Sequence, residues 1–250
     1  MAALTTYENK FPHARLSRST AGVLEVVLHT NGESLVFDAA THEEYVDLFH
    51  AIGQDQDTRV VILTGAGEAF IDDIDGASFD FGSAHGFHKM YQEGQQVLAN
   101  LINIPVPVIA AVNGPATVHS EYVLLCDTVL ATPDAVFQDK PHFAFGIVPG
   151  DGIHSLWPHV IGSIRGRHFV LTQQRLSAQE AMALGAVNEI VPRGELLPRA
   201  REIATKISAL PWITTRLSRA AVTQPLRRLV EDSIGYGLAL EGLSALLAQR

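Results

Sequence analysis

Histidine is the residue type in this chain best suited to acid–base chemistry, because its ordinary pKa lies near neutral pH. The 250 residues include 11 histidines. His142 lies in the segment FQDKPHFAFG, directly after a predicted strand, and Asp151 follows it in GIVPGDG. The glycines and the proline before Asp151 indicate a tight, specific backbone path. A histidine paired with a fixed aspartate can serve as a general base. The alternative is a turn-capping Asp151 and an unrelated His142.

Three further titratable residues occupy positions that could serve chemistry. His119 follows a predicted strand and the turn NGPAT, and it precedes a predicted helix, where free N–H groups suit a developing negative charge. Glu241 lies on a predicted last helix with small neighbours at helical spacing, which would allow close packing or a pocket around its carboxylate. His42 follows a predicted helix cap. The alternatives are a polar helix start for His119 and exposed positions for Glu241 and His42.

The segments that must position these residues follow a pattern of strands alternating with helices, which favours an α/β core followed by a helical tail. The apolar runs at residues 59–64 and 106–112 are typical of strands buried on both faces. Thr41 with Glu44 three residues later matches a capping box and predicts a helix from Thr41 to about residue 55. The other predicted strands are residues 22–29, part of 128–137, and 186–191. The other predicted helices are residues 87–102, 119–125, 153–161, 166–171, 178–184, 196–209, 211–223 and 226–249.

The composition excludes several classes of protein. With 47% hydrophobic and 18% charged residues, the chain is neither disordered, collagen-like nor a coiled coil. A net charge of −9 argues against binding nucleic acid or anionic membranes through the overall field. The single cysteine excludes an internal disulfide, as expected in a reducing cytosol, and the first ten residues show no signal peptide. We therefore expect a cytoplasmic protein that binds no nucleic acid.

One uncharged segment, residues 94–120, is long enough to span a bilayer, but asparagines, prolines and a glycine interrupt it. It is predicted to contain a helix end, a turn and a buried strand, so we expect no membrane association. Motifs for metal or cofactor binding are also missing: the sequence has no HExxH, no Cys–His zinc cluster, no phosphate-binding loop and no dinucleotide fingerprint after a strand. The nucleophile elbow GxSxG is absent too. We expect neither a metal nor an organic cofactor.

Two segments of the sequence, VVILTGAGEAFIDDID and PVPVIAAVNGPATVHSEYVLLCDTVLAT, resemble the core signatures of the crotonase (enoyl-CoA hydratase) superfamily. The stretch GRHFVLTQQRLSAQEAMALGAVNEIVP also matches, and the resemblance extends over residues 24–247. It implies an α/β fold with a crotonase-like ββα spiral core at residues 1–190 and a C-terminal helical oligomerisation region at residues 191–250. It also implies a homo-oligomer, either a trimer or a dimer of trimers.

The sequence departs from that superfamily where thioester-processing members build an oxyanion hole from two backbone N–H groups. The first loop usually reads AFxxGxD, and here Asp73 replaces the glycine. The second usually reads NGxxxGGG, and here Val118, His119 and Ser120 replace the three glycines. A β-branched side chain and an imidazole restrict the close approach of a bulky thioester, which argues against CoA chemistry.

These departures resemble one branch of the superfamily, 6-oxocamphor hydrolase and related β-diketone hydrolases. The segments FQDKPHFAFGIVPGDGIHSLWPHVIGS, LVFDAATHEEY and LALEGL carry this resemblance. By position, it implies that His142 and Asp151 form a water-activating dyad and that His119 stabilises the oxyanion. The further pocket residues that it implies are His42 and Glu241, with Phe37, Ile74 and Phe81 as substrate contacts. The branch has a tryptophan where this chain has Phe37. One N–H donor is therefore lost, and His119 must supply more of the stabilisation of the oxyanion.

The expected activity is hydrolysis of a C–C bond in a small-molecule, non-enolisable cyclic β-diketone, a retro-Claisen reaction that gives a keto acid. One alternative is a CoA-dependent hydratase, isomerase or thioester hydrolase, because Glu121 lies beside the position of the hydratase acid/base glutamate. The other alternative is an interaction module with the same fold that has lost catalysis.

Overall fold

The apolar runs of the sequence form the centre of a six-stranded sheet in the computed structural model, which describes residues 3–248. The strands are β1 (Ala14–Arg18), β2 (Val23–Leu28), β3 (Val36–Phe37), β4 (Val60–Gly65), β5 (Asp73–Ile74), β6 (Val108–Val112), β7 (Thr128–Ala131), β8 (Val136–Phe137), β9 (Leu176–Ser177) and β10 (Glu189–Ile190). The order across the large sheet is β1-β2-β4-β6-β7-β10, and only the β1–β2 pair is antiparallel.

Helices cover both faces of this sheet. They are α1 (Ala39–Gln54), α2 (Ala84–Ile102), α3 (Glu121–Leu124), α4 (Pro141–Phe145), α5 (Ile153–Ile161), α6 (Ser163–Thr172), α7 (Ala178–Ala183), α8 (Arg193–Ser208) and α9 (Trp212–Ala248). Every residue of β4 is buried: Val61 and Leu63 pack into the main core with α1 and α2, and Val60 and Ile62 pack against α8. The prediction of strands buried on both faces, and of an α/β core, is therefore confirmed.

A second, smaller layer of strands lies at the end of the sheet where the parallel strands terminate. Strands β3 and β5 pair in parallel, and β8 pairs with β9 in an antiparallel arrangement. Isolated bridges from Ile71 to Ala116 and from Ala116 to Phe137 connect the two pairs. This layer therefore aligns the segments that precede the pocket residues Ile74, His119 and His142.

The structure differs from the sequence prediction in several elements, and three of them show why. Helix α1 begins at Ala39 because Asp38 is its N-cap and accepts a hydrogen bond of 2.7 Å from the Thr41 amide, so the predicted Thr41 cap was wrong. Helix α9 is continuous through Pro225, where two helices were predicted, since its packing against α2 and α5 supports it beyond the proline. Strand β1 was missed because only Ala14 and Leu16 mark its buried face, too few residues for the alternation to stand out.

The predicted division at residue 190 does not coincide with a break in packing. Helix α8 lies beyond that position, yet its residues Leu196, Ala200 and Ala204 are buried against the large sheet. We therefore assign α8 to the core by its packing, and only α9 follows it. Among residues 3–248, no helix is both long enough and apolar enough to cross a membrane.

Candidate functional site

A pocket of about 550 Å³ lies between the small strand layer, α2, α4 and α9, and opens to solvent. Most of its wall is apolar, and five titratable side chains project into it. The lining residues are His42, Ile74, Gly76, Phe79, Phe81, Met90, His119, Pro141, His142, Phe145, Ile147, Asp151, Leu238 and Glu241. All five titratable candidates of the sequence analysis are therefore brought together in one pocket.

His142 lies in the first turn of α4 and is only 6% exposed. Its Nδ1 atom is 2.6 Å from Oδ1 of Asp139, whereas Oδ2 of Asp151 lies 3.6 Å from its Nε2 atom. The dyad expected from the sequence pairs His142 with Asp151. The carboxylate on the Nδ1 side is instead Asp139, and the distance to Asp151 is longer than a hydrogen bond.

Asp151 lies between the two principal histidines, in the turn that leads into α5. Its Oδ2 atom is 3.2 Å from Nδ1 of His119, and the same atom is the one that approaches His142. The turn is formed by glycines: Gly152 has a φ of +115°, and Gly150 packs against the backbone of α9 so closely that a Cβ would overlap the carbonyl oxygen of Gly237. The tight backbone path expected around Asp151 is therefore present.

His119 adopts a left-handed backbone conformation, with a φ of +48°, just before α3. Its Nδ1 atom is 2.7 Å from Oε1 of Glu121, which is completely buried. The imidazole is stacked on Tyr122, with ring centroids 5.0 Å apart, and contacts Phe37 with centroids 4.2 Å apart. With Nδ1 bound to carboxylates, Nε2 is the ring nitrogen left for a ligand.

The other two titratable residues come from opposite ends of the chain. His42, in the first turn of α1, is 6% exposed, and its Nδ1 atom is 2.9 Å from Oε2 of Glu93 on α2. Glu241 on α9 is 4% exposed, and its Oε2 atom has no hydrogen-bond partner among the described residues. Gly237, one turn earlier, packs against His154 and Gly150, so the small residues near Glu241 do allow close packing.

Burial and mutual charge shift the pKa values of these groups in opposite directions. Burial alone lowers the pKa of His119, but Glu121 and Asp151 stabilise its imidazolium and raise the pKa to about 10. The pKa of His142 likewise rises to about 10, since Asp151 and Asp139 outweigh its burial.

The pKa values of the carboxyl groups also depend on burial and on the neighbouring charges. Burial would raise the pKa of Asp151, but the neighbouring imidazoles of His142 and His119 hold it below its ordinary value. Burial raises the pKa of Glu241 to about 8, although the charge of His142 opposes the rise. At neutral pH the pocket therefore contains a carboxylate between two imidazolium groups and a largely protonated Glu241.

The predicted substrate contacts divide into two groups. Ile74 and Phe81 line the pocket, as expected, together with Phe79, Met90 and Phe145, which the sequence analysis did not single out. Phe37 is completely buried and is not among the lining residues; it packs behind His119. The sequence also carries no signal for Asp139, which reaches His142 through a turn three residues earlier, or for Glu93, which reaches His42 from another helix.

One group of donors has spacing compatible with a metal ion. Single atoms of His119, Glu121 and Asp151 lie within 4.8 Å of one another. The Nδ1 atom of His119 lies 2.7 Å from Oε1 of Glu121, the distance of a hydrogen bond, and 3.2 Å from Oδ2 of Asp151, so a proton on Nδ1 accounts for the arrangement.

Several known proteins are similar to this chain in sequence, in fold or in both. The crotonyl-CoA hydratase of Syntrophomonas wolfei is 30% identical over 220 residues, covering 83% of this chain and 84% of its own. The carnitinyl-CoA dehydratase of Proteus mirabilis is 33% identical over 233 residues, covering 88% and 84%.

Among solved structures, a β-diketone hydrolase from the cyanobacterium Anabaena, bound to (S)-3-oxocyclohexyl acetic acid, is 49% identical with a TM-score of 0.96 and covers 98% of both chains. An enoyl-CoA hydratase/isomerase from Mycobacterium paratuberculosis is 27% identical, with a TM-score of 0.87 and 94% coverage of both chains. These neighbours confirm the expected crotonase-like core and its C-terminal helix.

The family profile described as Enoyl-CoA hydratase/isomerase matches residues 18–235, which include every pocket residue except Leu238 and Glu241. With that match and the shared fold, this chain belongs to the enoyl-CoA hydratase/isomerase family of the crotonase superfamily.

Proposed function

We propose that the protein hydrolyses a carbon–carbon bond of non-enolisable cyclic or bicyclic β-diketones to give a keto acid, without a metal or an organic cofactor. The observation that supports this most is that His119 and His142 both approach the same oxygen of Asp151, at 3.2 and 3.6 Å, on the wall of a largely apolar pocket. An apolar pocket suits a carbocyclic substrate, and two imidazoles can supply a base and an oxyanion donor.

In the proposed reaction, Nε2 of His142 takes a proton from water while the water oxygen bonds to one carbonyl carbon. Asp151 is a poor competitor as base because its pKa lies below its ordinary value. His119 keeps its proton at neutral pH, with a pKa of about 10, and donates it in a hydrogen bond to the forming oxyanion.

The tetrahedral intermediate then collapses, and the bond between the acyl carbon and the carbon that bears the second carbonyl breaks. The electron pair is delocalised into that carbonyl as an enolate. The proton on His142 passes to the enolate carbon, which restores the neutral imidazole. We assign orientation of the substrate to His42 and Glu241, and its apolar contacts to Ile74 and Phe81, all of which line the pocket.

The compound named with the Anabaena structure suggests the substrate to try first. Addition of water across a bicyclooctanedione whose two carbonyls flank one bridgehead carbon gives 3-oxocyclohexyl acetic acid. Because the two carbonyls of that diketone are mirror-related, a pocket that presents only one of them to water yields one enantiomer.

The CoA-dependent alternative is favoured by the activities named for the sequence relatives. In this chain Glu121 is completely buried, is absent from the pocket lining and is hydrogen-bonded to His119. A hydratase would need that carboxylate in contact with substrate, so its position supports the diketone proposal.

The test is incubation with the bicyclooctanedione in H₂¹⁸O, with detection of a product heavier than the substrate by one labelled water. His142→Ala should lower kcat/KM by about 10²–10⁴-fold, the contribution of a positioned general base. His119→Ala should lower it by about 10²–10³-fold, the contribution of one oxyanion donor. A wild-type protein that leaves the diketone unchanged but hydrates or hydrolyses a short acyl-CoA would refute the proposal.

A further inference from the structure

The Nδ1 atom of each of the three histidines in the pocket lies within hydrogen-bond distance of a carboxylate that does not itself line the pocket. The pairs are His42 with Glu93 at 2.9 Å, His119 with Glu121 at 2.7 Å, and His142 with Asp139 at 2.6 Å. In all three, the partner lies behind the ring, so it acts on a ligand only through the imidazole.

Asp139, like Glu121, is buried beside the histidine that it contacts. Asp139 is 2% exposed, and among the described residues its side chain makes one hydrogen bond, the one with His142. Its Oδ2 atom is buried without a partner there. The backbone around it is fixed, since the amide of Lys140 donates to Thr117 at 2.9 Å and that of Gln138 donates to Ala116 at 3.4 Å.

We propose that Asp139 is the positioning residue for His142: it holds a proton on Nδ1, so that Nε2 presents its lone pair to the pocket and can accept the proton of the attacking water. This rests on the proposed function. During the step, one O–H bond of water breaks, its proton bonds to Nε2, and the oxygen bonds to the carbonyl carbon. The Nδ1 proton stays on His142 throughout.

Asp151 cannot take over this task, because it approaches His142 from the Nε2 side, at 3.6 Å. Replacing Asp139 with asparagine leaves the shape of the side chain but offers Nδ1 either an amide oxygen or an amide N–H. The N–H would select the tautomer with its proton on Nε2, which cannot accept another. A comparable replacement in a Ser-His-Asp triad costs about 10⁴-fold in kcat.

The experiment compares Asp139→Asn with Asp232→Asn, a matched control at an exposed position of α9. We expect Asp139→Asn to lower kcat on the diketone by about 10²–10⁴-fold with little change in KM, and the control to leave both unchanged. Asp139→Glu, which restores the charge, should recover part of the loss. Unchanged kcat in Asp139→Asn, with a melting temperature like that of the wild type, would overturn the proposal.

A second readout does not depend on turnover. The buried Nδ1 proton of His142 should give a slowly exchanging, far-downfield ¹H signal at neutral pH, identified by its loss in His142→Ala. It should shift upfield or vanish in Asp139→Asn and persist in Asp151→Asn, although Asp151 and Glu241 also face the ring. A signal that persists in Asp139→Asn and is lost in Asp151→Asn would overturn the proposal, even if no diketone were turned over. The expected pattern in a protein that does not turn over the diketone would contradict only the proposed function.

Discussion

At the scale of single residues, the pocket holds buried groups of opposite charge that balance one another. Two imidazolium groups approach the same oxygen of Asp151, and their Nδ1 atoms lie within hydrogen-bond distance of Asp139 and Glu121. This arrangement keeps both histidines protonated at neutral pH, with pKa values of about 10. That suits the oxyanion donor His119 but opposes the base His142, which must be neutral to accept a proton.

This conflict predicts an alkaline pH optimum for diketone hydrolysis. Between pH 7 and pH 9 we expect kcat/KM to rise about tenfold per pH unit, because the neutral fraction of His142 grows as the pH approaches its pKa of about 10. Above about pH 10, His119 loses the proton that it donates, and the rate should fall. The measurement is a pH–rate profile at subsaturating substrate. A profile that is flat from pH 7 upward would contradict it.

The individual site residues were easier to predict than their partners. His142, Asp151 and His119 were suggested by glycine-rich turns and by their position after strands, and Glu241 by its small neighbours. His42 and the substrate contacts rested on family resemblance. Asp139 lies only three residues before His142, but a turn that brings the two side chains together depends on the backbone of residues 116–117, far away in the sequence. The partner could therefore not be found by spacing alone.

At the scale of elements, the pocket depends on how closely α9 approaches the turn that carries Asp151. The contact is between backbones: Gly150 and Gly237 meet without side chains between them, and His154 fills the space beside Gly237. The amide of Val148 donates to the Ser244 hydroxyl at 2.9 Å, which ties the start of the same turn to α9. Small residues on α9 thus set the position of Asp151 relative to Glu241.

We therefore expect Gly237→Ala to destabilise the protein by about 1–3 kcal/mol, since a methyl group there overlaps the His154 ring and the Gly150 carbonyl oxygen. Activity should fall as well, because Asp151 moves with its turn. Gly235→Ala, two residues away, adds a Cβ near only the flexible ends of Tyr91 and Gln95, at 3.1 and 3.6 Å, and should be neutral or stabilising. Denaturant unfolding checks both variants, and equal stability of the two would contradict this account of the contact.

The elements that were best predicted from the sequence are the strands that are buried along their whole length. Strands β4 and β6 are apolar throughout because both of their faces are covered, so no alternation had to be recognised. The two-residue strands of the small layer are too short to carry a period. Helix α9 was divided in two because Pro225 normally ends a helix, and only its packing against distant helices overrides that preference.

At the scale of the whole molecule, the single chain leaves a row of apolar side chains uncovered near the end of α9. Leu238 is buried, but Leu243, Leu246 and Leu247 are each more than half exposed. Trp212, Leu217 and Val222 are exposed earlier on the same helix. Apolar surface of this extent is typical of an interface between chains, as expected for a family whose members are typically oligomeric.

We propose that these residues contribute to a trimer or a dimer of trimers. Light scattering coupled to size-exclusion chromatography should then give three or six times the chain mass of 27.1 kDa. The double change Leu243→Glu and Leu247→Glu should reduce that mass, because it places charges in the interface, and Gln54→Glu on α1 serves as a control. A wild-type mass of one chain would refute the assembly.

The pocket also has a consequence for how the protein is made. About 200 residues separate His42 from Glu241, so a ribosome working at 5–20 residues per second needs roughly 10–40 s to pass from one to the other. The large sheet can form during that interval, but Leu238 and Glu241 complete the pocket wall only after α9 has emerged and docked. A nascent chain therefore holds both histidines of the proposed chemistry well before it holds a closed binding site.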